Sequence, residues 1–192
     1  RLSVGSMPPR NPSELLADLQ AQVAANQLGV AELEALVSYA GNDEISKYMA
    51  YLQNNASNAV QNVIEKLEDR SFSVELDNGA RLSVQISIDK VRRKARIDFS
   101  GTSLQGHGNF QAPLAITKAA VLYVFRCLSE EEIPLNAGCF DPLELIVPKG
   151  CLLNPVFPAA VVAGNVETSQ ALCNLLFGAL GVLAASQGTM NN

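Results

Sequence analysis

Residues 71–99 read SFSVELDNGARLSVQISIDKVRRKARIDF, and the fold is decided there. Phe72, Val74 and Leu76 alternate with polar residues, as do Leu82, Val84, Ile86 and Ile88, and then Ala95, Ile97 and Phe99. A period of two sends successive side chains to opposite faces of an extended chain, so each run is a strand with one apolar face. Asp77-Asn78-Gly79 supplies a hairpin turn, because Asn and Gly tolerate the positive φ such turns need. Lys90, Arg92, Arg93 and Lys94 fill the second connection and read as a solvated turn. The three strands form an antiparallel meander whose apolar face packs on a helix.

Upstream, in 11–70, the period changes to that of helices. Pro12 suits a first helical turn, and Leu15, Leu16, Leu19 and Val23 form one stripe to about Asn26. Gly29 is expected to end this helix. A short second one follows with Leu33, Leu36 and Val37, closed by Gly41. Asn42 or Asp43 then caps the longest helix, to about Asp69. Its apolar face carries Ile45, Tyr48, Met49, Leu52, Ala56, Ala59, Val60, Val63 and Leu67, and its other face Gln53, Asn54, Asn55, Asn58, Gln61 and Asn62. The stretch before it, 1–10, is irregular.

Downstream, in 100–192, elements are mixed. SGTSLQGHGNFQAP (100–113) is a loop. LAITKAAVLYVFRCL is apolar nearly all round and so reads as a buried helix. EEIPLNAGCFDPLELIVPKG holds a loop and one short strand. VFPAAVV is extended, and GNVETSQ (164–170) leads into a helix rich in small residues, where Gly178, Gly181, Ala184 and Ala185 permit close backbone approach. The expected class is α+β: N-terminal helices with one long amphipathic member, the meander, then buried helices and short strands.

Composition bounds the function. Of 192 residues 48% are hydrophobic and only 17% charged, a low charge count that implies covering by material outside this sequence. Fourteen basic against nineteen acidic residues, net −5, disfavours a nucleic-acid partner. The longest apolar run falls short of the ~20 residues a membrane span takes, so no membrane partner is expected. Cys127, Cys139, Cys151 and Cys173 make no C-x-x-C pair and read as free thiols in a reducing, cytoplasmic setting. Arg1 and Asn191-Asn192 make the ends read as cut, so that the chain is a piece of something larger.

Four polar patches lie in apolar surroundings, where polar groups persist when paired or useful. Asp98-Phe99-Ser100-Gly101-Thr102 ends the third strand and reads as an anion-binding loop or a hydrogen-bonded turn. His107, between glycines, reads as a mobile loop histidine rather than a general base. Cys139, after Gly138, has no basic neighbour in sequence to activate it. The heptad GNVETSQ is the densest. Asn165 or Thr168 can cap the helix that follows and Glu167 can complement its positive end, which leaves further polar groups unexplained. A second polar cluster, SQGTMNN (186–192), closes the chain. No phosphate-binding loop and no paired-histidine metal spacing occurs.

VVAGNVETSQ followed by GALGVLAASQGTMNN resembles the hydantoinase B family, the subunit or domain shared by 5-oxoprolinases and N-methylhydantoinases. LADLQAQVAANQLGV, the DNGA hairpin, IDFSGTS, APLAITKAAVLYVFRCL and IPLNAGCFDPLELIVPKG resemble it in order, over 11–192, with 5-oxoprolinase-like members nearest in wording. The resemblance implies ATP-dependent opening of a cyclic amide, 5-oxoproline to glutamate or a hydantoin to its carbamoyl amino acid. It implies that ATP is handled by a hydantoinase A-type partner, in an oligomeric, multi-subunit enzyme. Any divalent metal would be held by ligands outside this fragment, which alone would be inactive. Related ATP-dependent ketone carboxylases share the two-part build, and a non-catalytic assembly segment is a further alternative. Residues 1–4 depart from the family's lead-in, and relatives carry a longer stretch between GSMPP and the first helix, so 5–9 and Asn11 are expected to be discontinuous. On this reading Asn165, Glu167, Thr168 and Ser169 line the pocket as the catalytic group. Asp98, Ser100 and Thr102 come second, as substrate-binding residues.

Overall fold

A computed structural model describes residues 8–129 and 136–183. The chain has an α+β fold that divides into two compact units, Arg1–Leu52 and Gln53–Asn192, with the boundary inside a helix.

The first unit holds α1 (Pro12–Ala40) and the start of α2 (Asn42–Glu65). Asn11 caps α1: its side-chain oxygen accepts from the Glu14 backbone N–H at 3.3 Å, and Pro12 occupies the first turn. α1 runs unbroken through Gly29, where a break was expected. A lone glycine costs only about 1 kcal/mol against alanine in a helix interior, and good helix formers flank it. Gly41, at φ 85°, then ends α1 by donating its N–H to the Val37 carbonyl at 2.8 Å. With 29 residues α1 is longer than α2 with 24, reversing the expected order. None of its side chains is buried.

The second unit begins with the rest of α2, whose Ala56, Ser57, Ala59, Val60, Val63 and Ile64 are buried. Strands β1 (Arg70–Glu75), β2 (Arg81–Asp89) and β3 (Lys94–Asp98) form the expected meander. The DNG turn closes as read: Gly79 sits at φ 78° and the Asn78 side chain accepts from the Ala80 N–H at 3.0 Å. The sheet gains a fourth strand, β4 (Leu143–Ile146), which pairs parallel to β3 with Ala95 opposite Leu143. Hydrophobic alternation cannot show this, because a parallel partner arrives through a long crossover with no turn signature.

The pairing Phe72↔Val84 and Ile86↔Ile97 puts the apolar side chains on one sheet face. Helix α4 (Glu167–Leu180) covers it, packing across β1 and β2 and beside α3 (Leu114–Cys127). The opposite face carries exposed Arg81, Gln85 and Arg96 and is wet. Gly178 permits the packing: a β-carbon there would sit 2.8 Å from the Phe72 ring. Gly181, at φ 66°, ends α4. Ala184, Ala185 and the 186–192 cluster lie outside the described residues.

Two expectations are modified by packing. α3 buries Thr117, Ala120, Val121, Leu122, Val124 and Phe125 but leaves Tyr123 57% exposed, since only one side meets α4 and the core. The basic turn is not merely solvated. Arg93 is half-buried, its Nε 2.5 Å from a Glu65 oxygen and its Nη2 donating to the Asn62 side chain at 2.6 Å, so it ties the β2–β3 turn to the amide face of α2. Among the described residues no helix is long and apolar enough to cross a membrane.

Candidate functional site

The heptad 164–170 is built against the loop that precedes α3. A 3₁₀ turn (Val162–Asn165) leads through Val166 into α4. Gly164 is buried so tightly that a β-carbon would meet the Gln111 carbonyl oxygen at 2.0 Å. The Ala163 N–H donates to the Asn109 carbonyl at 3.0 Å, and the Thr168 hydroxyl donates to the Phe110 carbonyl at 2.5 Å. Thr168 is 1% exposed. Three consecutive loop residues, Asn109 to Gln111, thus hold one turn of backbone.

The expected helix cap is not made. Val166 is the N-cap residue of α4 and no side chain caps it. Thr168 is drawn away by Phe110, and the Ser169 hydroxyl reaches back to the Asn165 carbonyl at 2.6 Å and the Val166 carbonyl at 3.3 Å. The hydroxyls therefore brace the turn, because the incoming 3₁₀ geometry already fixes the helix start. Asn165 is exposed and Glu167 half-buried in the first turn, where the helix end favours negative charge.

The supporting loop is ordered by bonds that sequence does not show. Gln105 and Val156 exchange two hydrogen bonds, at 2.6 and 3.4 Å. Leu104 bridges to Cys151, and the Leu152 N–H donates to the Ser103 carbonyl at 2.9 Å. Gln111, 2% exposed, spends its amide donors on the Gly108 carbonyl at 2.8 Å and the Ala160 carbonyl at 3.1 Å. Gln111 was missed as a site residue: a buried amide that links a carbonyl three residues back to one 49 residues ahead has no periodicity to betray it. The nearest signal is its place directly before Ala112-Pro113, at a helix entry. His107 is exposed at the tip of this loop.

Asp98, Ser100 and Thr102 lie at the loop's other end, and their described bonds close on their own neighbourhood. The Asp98 carboxylate accepts from the Ser100 N–H at 2.8 Å and lies 3.6 Å from the Arg96 guanidinium. A side-chain hydrogen bond from Ser100, helped by that N–H and by Arg96, holds the Asp98 carboxyl below the usual carboxylate range against a smaller opposing effect of burial. The Thr102 hydroxyl donates to the Ser83 carbonyl at 3.1 Å and faces the Ser83 N–H at 3.2 Å.

Cys139 is fully buried in the 3₁₀ turn Ala137–Phe140. Its neighbour Gly138 lies against the Gln53 backbone, where a β-carbon would meet the carbonyl oxygen at 2.0 Å, which makes this cysteine a packing residue. All four cysteines are free thiols, with Cys139 and Cys151 buried, Cys173 partly so and Cys127 exposed. Among the described residues no group of three or more His, Cys, Asp and Glu side chains is arranged to hold a metal ion.

A family model described as hydantoinase B/oxoprolinase matches residues 2–192. A 5-oxoprolinase from Saccharomyces cerevisiae is 42% identical over 189 residues, 95% of this chain and 15% of that protein. The chain spans about 15% of the length of the curated 5-oxoprolinases it matches. Among solved structures, an ATP-dependent caprolactamase from Pseudomonas jessenii superposes with a TM-score of 0.66 at 19% identity, over 88% of this chain and 31% of that one. An acetone carboxylase gives a TM-score of 0.61 at 16% identity, over 77% and 22%. At these identities the two likenesses speak to the fold.

Proposed function

The chain belongs to the hydantoinase B/oxoprolinase family, and from that premise we propose that it forms part of an ATP-dependent cyclic amide hydrolase. The substrate class is 5-oxoproline or a hydantoin, and a hydantoinase A-type subunit or domain completes the enzyme, in an oligomeric, cytoplasmic assembly. The observation that carries this reading is the interlock of Gly164 and Thr168 with the 109–111 backbone, which fixes a polar turn in an apolar setting.

A ring amide resists water because its carbonyl carbon is a poor electrophile and its nitrogen a poor leaving group. Activation by ATP supplies the missing driving force. The described residues do not fit that chemistry, since the sequence has no phosphate-binding loop and no metal-ligand cluster occurs among them. What this chain contributes is position. Asn165 offers a carboxamide donor to the ring carbonyl oxygen as negative charge develops on it. Glu167 offers a carboxylate that accepts a proton from the attacking water and returns it to the departing ring nitrogen. Thr168 and Ser169, with their hydroxyl protons committed to backbone carbonyls, hold those two groups in register. Asp98, Ser100 and Thr102 take the secondary, substrate-binding role through the turn they build.

The test is Glu167→Gln in the complete enzyme, assayed with 5-oxoproline, a hydantoin, and a ketone with bicarbonate. Loss of roughly 10²–10³-fold in kcat on a cyclic amide, with assembly unchanged by size-exclusion chromatography, supports the reading. Unchanged turnover removes Glu167 from the catalytic group, and absence of turnover of either cyclic amide by the unsubstituted enzyme removes the reading. Bicarbonate-dependent ketone turnover would favour the carboxylase alternative, which the acetone carboxylase likeness keeps in view. Loss of assembly would favour the non-catalytic segment, which the unburied length of α1 supports.

A further inference from the structure

Helix α1 is apolar but uncovered. Its 29 residues bury no side chain, although Val23, Leu28, Val30 and Leu36 are each more than half exposed. At about 100° per residue, Val23, Leu28 and Leu36 lie on three different sides of the helix. Apolar residues on several sides of one helix mark it as covered in its working assembly. Leu19, Gln20, Val23, Ala24 and Gln27 line an open hollow of about 270 Å³, several times the ~30 Å³ share of a water molecule, so a side chain fits there. Gln20, Val23, Ala24 and Gln27 are spaced i, i+3, i+4 and i+7. That is the diamond of four side chains which receives one knob from a facing helix. The short Ala24 side chain leaves its floor open.

Charge decides between occupants. In 12–52 six carboxylates, those of Glu14, Asp18, Glu32, Glu34, Asp43 and Glu44, stand against one cation, Lys47. α1 itself contains no Lys or Arg. A second copy would set one acidic helix beside another, and like charges repel across such a contact. A cationic partner gains from the same charges. The aromatics agree: Tyr39, Tyr48 and Tyr51 are exposed, and a tyrosine face attracts Arg or Lys.

We propose that α1 docks, through the hollow at Ala24, against a helix elsewhere in the complete enzyme, one that carries an aliphatic knob flanked by Arg or Lys. The chain spans 15% of a matching 5-oxoprolinase, so the larger part of such an enzyme is available to supply that helix. This docking rests on the proposed function only in that the enzyme has further parts, and it holds whatever Glu167 does.

The experiment puts a photoreactive benzoylphenylalanine in place of Gln20, an exposed residue on the rim of the hollow, in the complete enzyme. After irradiation the cross-linked peptides are mapped by mass spectrometry. The expected result is one dominant peptide from outside 1–192, of helical period, with an aliphatic residue between Lys or Arg. Ala24→Phe fills the hollow and should lower that yield about tenfold. Helicity by circular dichroism should not change, because α1 buries no side chain. Should Ala24→Phe fail to fold, the cross-link from position 20 decides alone. Cross-links to α1 of a second copy, told apart by mixing isotopically light and heavy enzyme, overturn the proposal. So do cross-links to an acidic or non-helical peptide, the absence of any cross-link, or a yield that folded Ala24→Phe leaves unchanged. None of these arms reads turnover, so their failure is distinct from failure of the catalytic reading.

Discussion

Gly164 lies against the backbone of Gln111 so closely that a single added carbon would come within 2.0 Å of its carbonyl oxygen. The polar turn at the start of α4 is thus set by a backbone-to-backbone approach open only to glycine. Gly164→Ala should cost about 3 kcal/mol or more, since a rigid carbonyl cannot yield as a side chain does. Gly106→Ala, where nothing lies within 4 Å, should be nearly neutral. Paired urea denaturation curves check both.

Thr168 donates from a buried hydroxyl to the Phe110 carbonyl. Thr168→Val keeps the shape and removes the donor, leaving that carbonyl without its partner at a cost of about 1–3 kcal/mol. Thr168→Ser keeps the donor and loses a buried methyl, for about 1 kcal/mol. The ranking Val worse than Ser, read from chemical denaturation, supports the hydrogen bond as the dominant contribution. The reverse ranking assigns it to packing.

Asp98 provides a pH signature. Its carboxyl is held below its ordinary value of 3.8, first by the Ser100 side chain, then by the Ser100 N–H and Arg96. A group with a depressed folded pKa contributes stability that is complete above its unfolded pKa and is lost as pH falls through the folded one. Asp98→Asn should therefore lower stability at neutral pH and flatten the acid limb of the stability curve below about pH 4. Denaturation midpoints of the two proteins should converge as the pH falls.

Arg93 combines strain with a contact. It is the one non-glycine residue with positive φ among those described, at 56°, and its guanidinium meets Glu65 and Asn62. Arg93→Ala loses the contact and keeps the strained backbone, whereas Arg93→Gly loses the contact and relieves the strain. The glycine variant should be the more stable by about 1 kcal/mol, measured by thermal or chemical unfolding. An alanine variant equal to or better than glycine would show that the backbone there is not strained.

Much of this was legible in residues 71–99. Alternation and the DNG turn specify strands and hairpin locally, and Leu82, Val84, Ile86 and Ile97 are buried as their period requires. Gly29 and Gly41 show where local reading divides. Both carry the same helix-breaking propensity, but only Gly41 adopts the positive φ that ends a helix. Propensity is a small bias that surrounding residues outweigh. Thr168 shows the same limit: as a residue type it favours capping, but a carbonyl 58 residues earlier takes its proton.

By itself, then, the sequence determined the α+β class, the meander, the family and the crowding of polar groups in 164–170, because these follow from local period and from the wording of motifs. Only the tertiary structure decided that β4 joins β3 in parallel and that Gln111 and Phe110 brace the polar turn. Each of these depends on which distant backbone arrives within a few ångströms, and contact between residues far apart in the chain leaves no periodic trace in it.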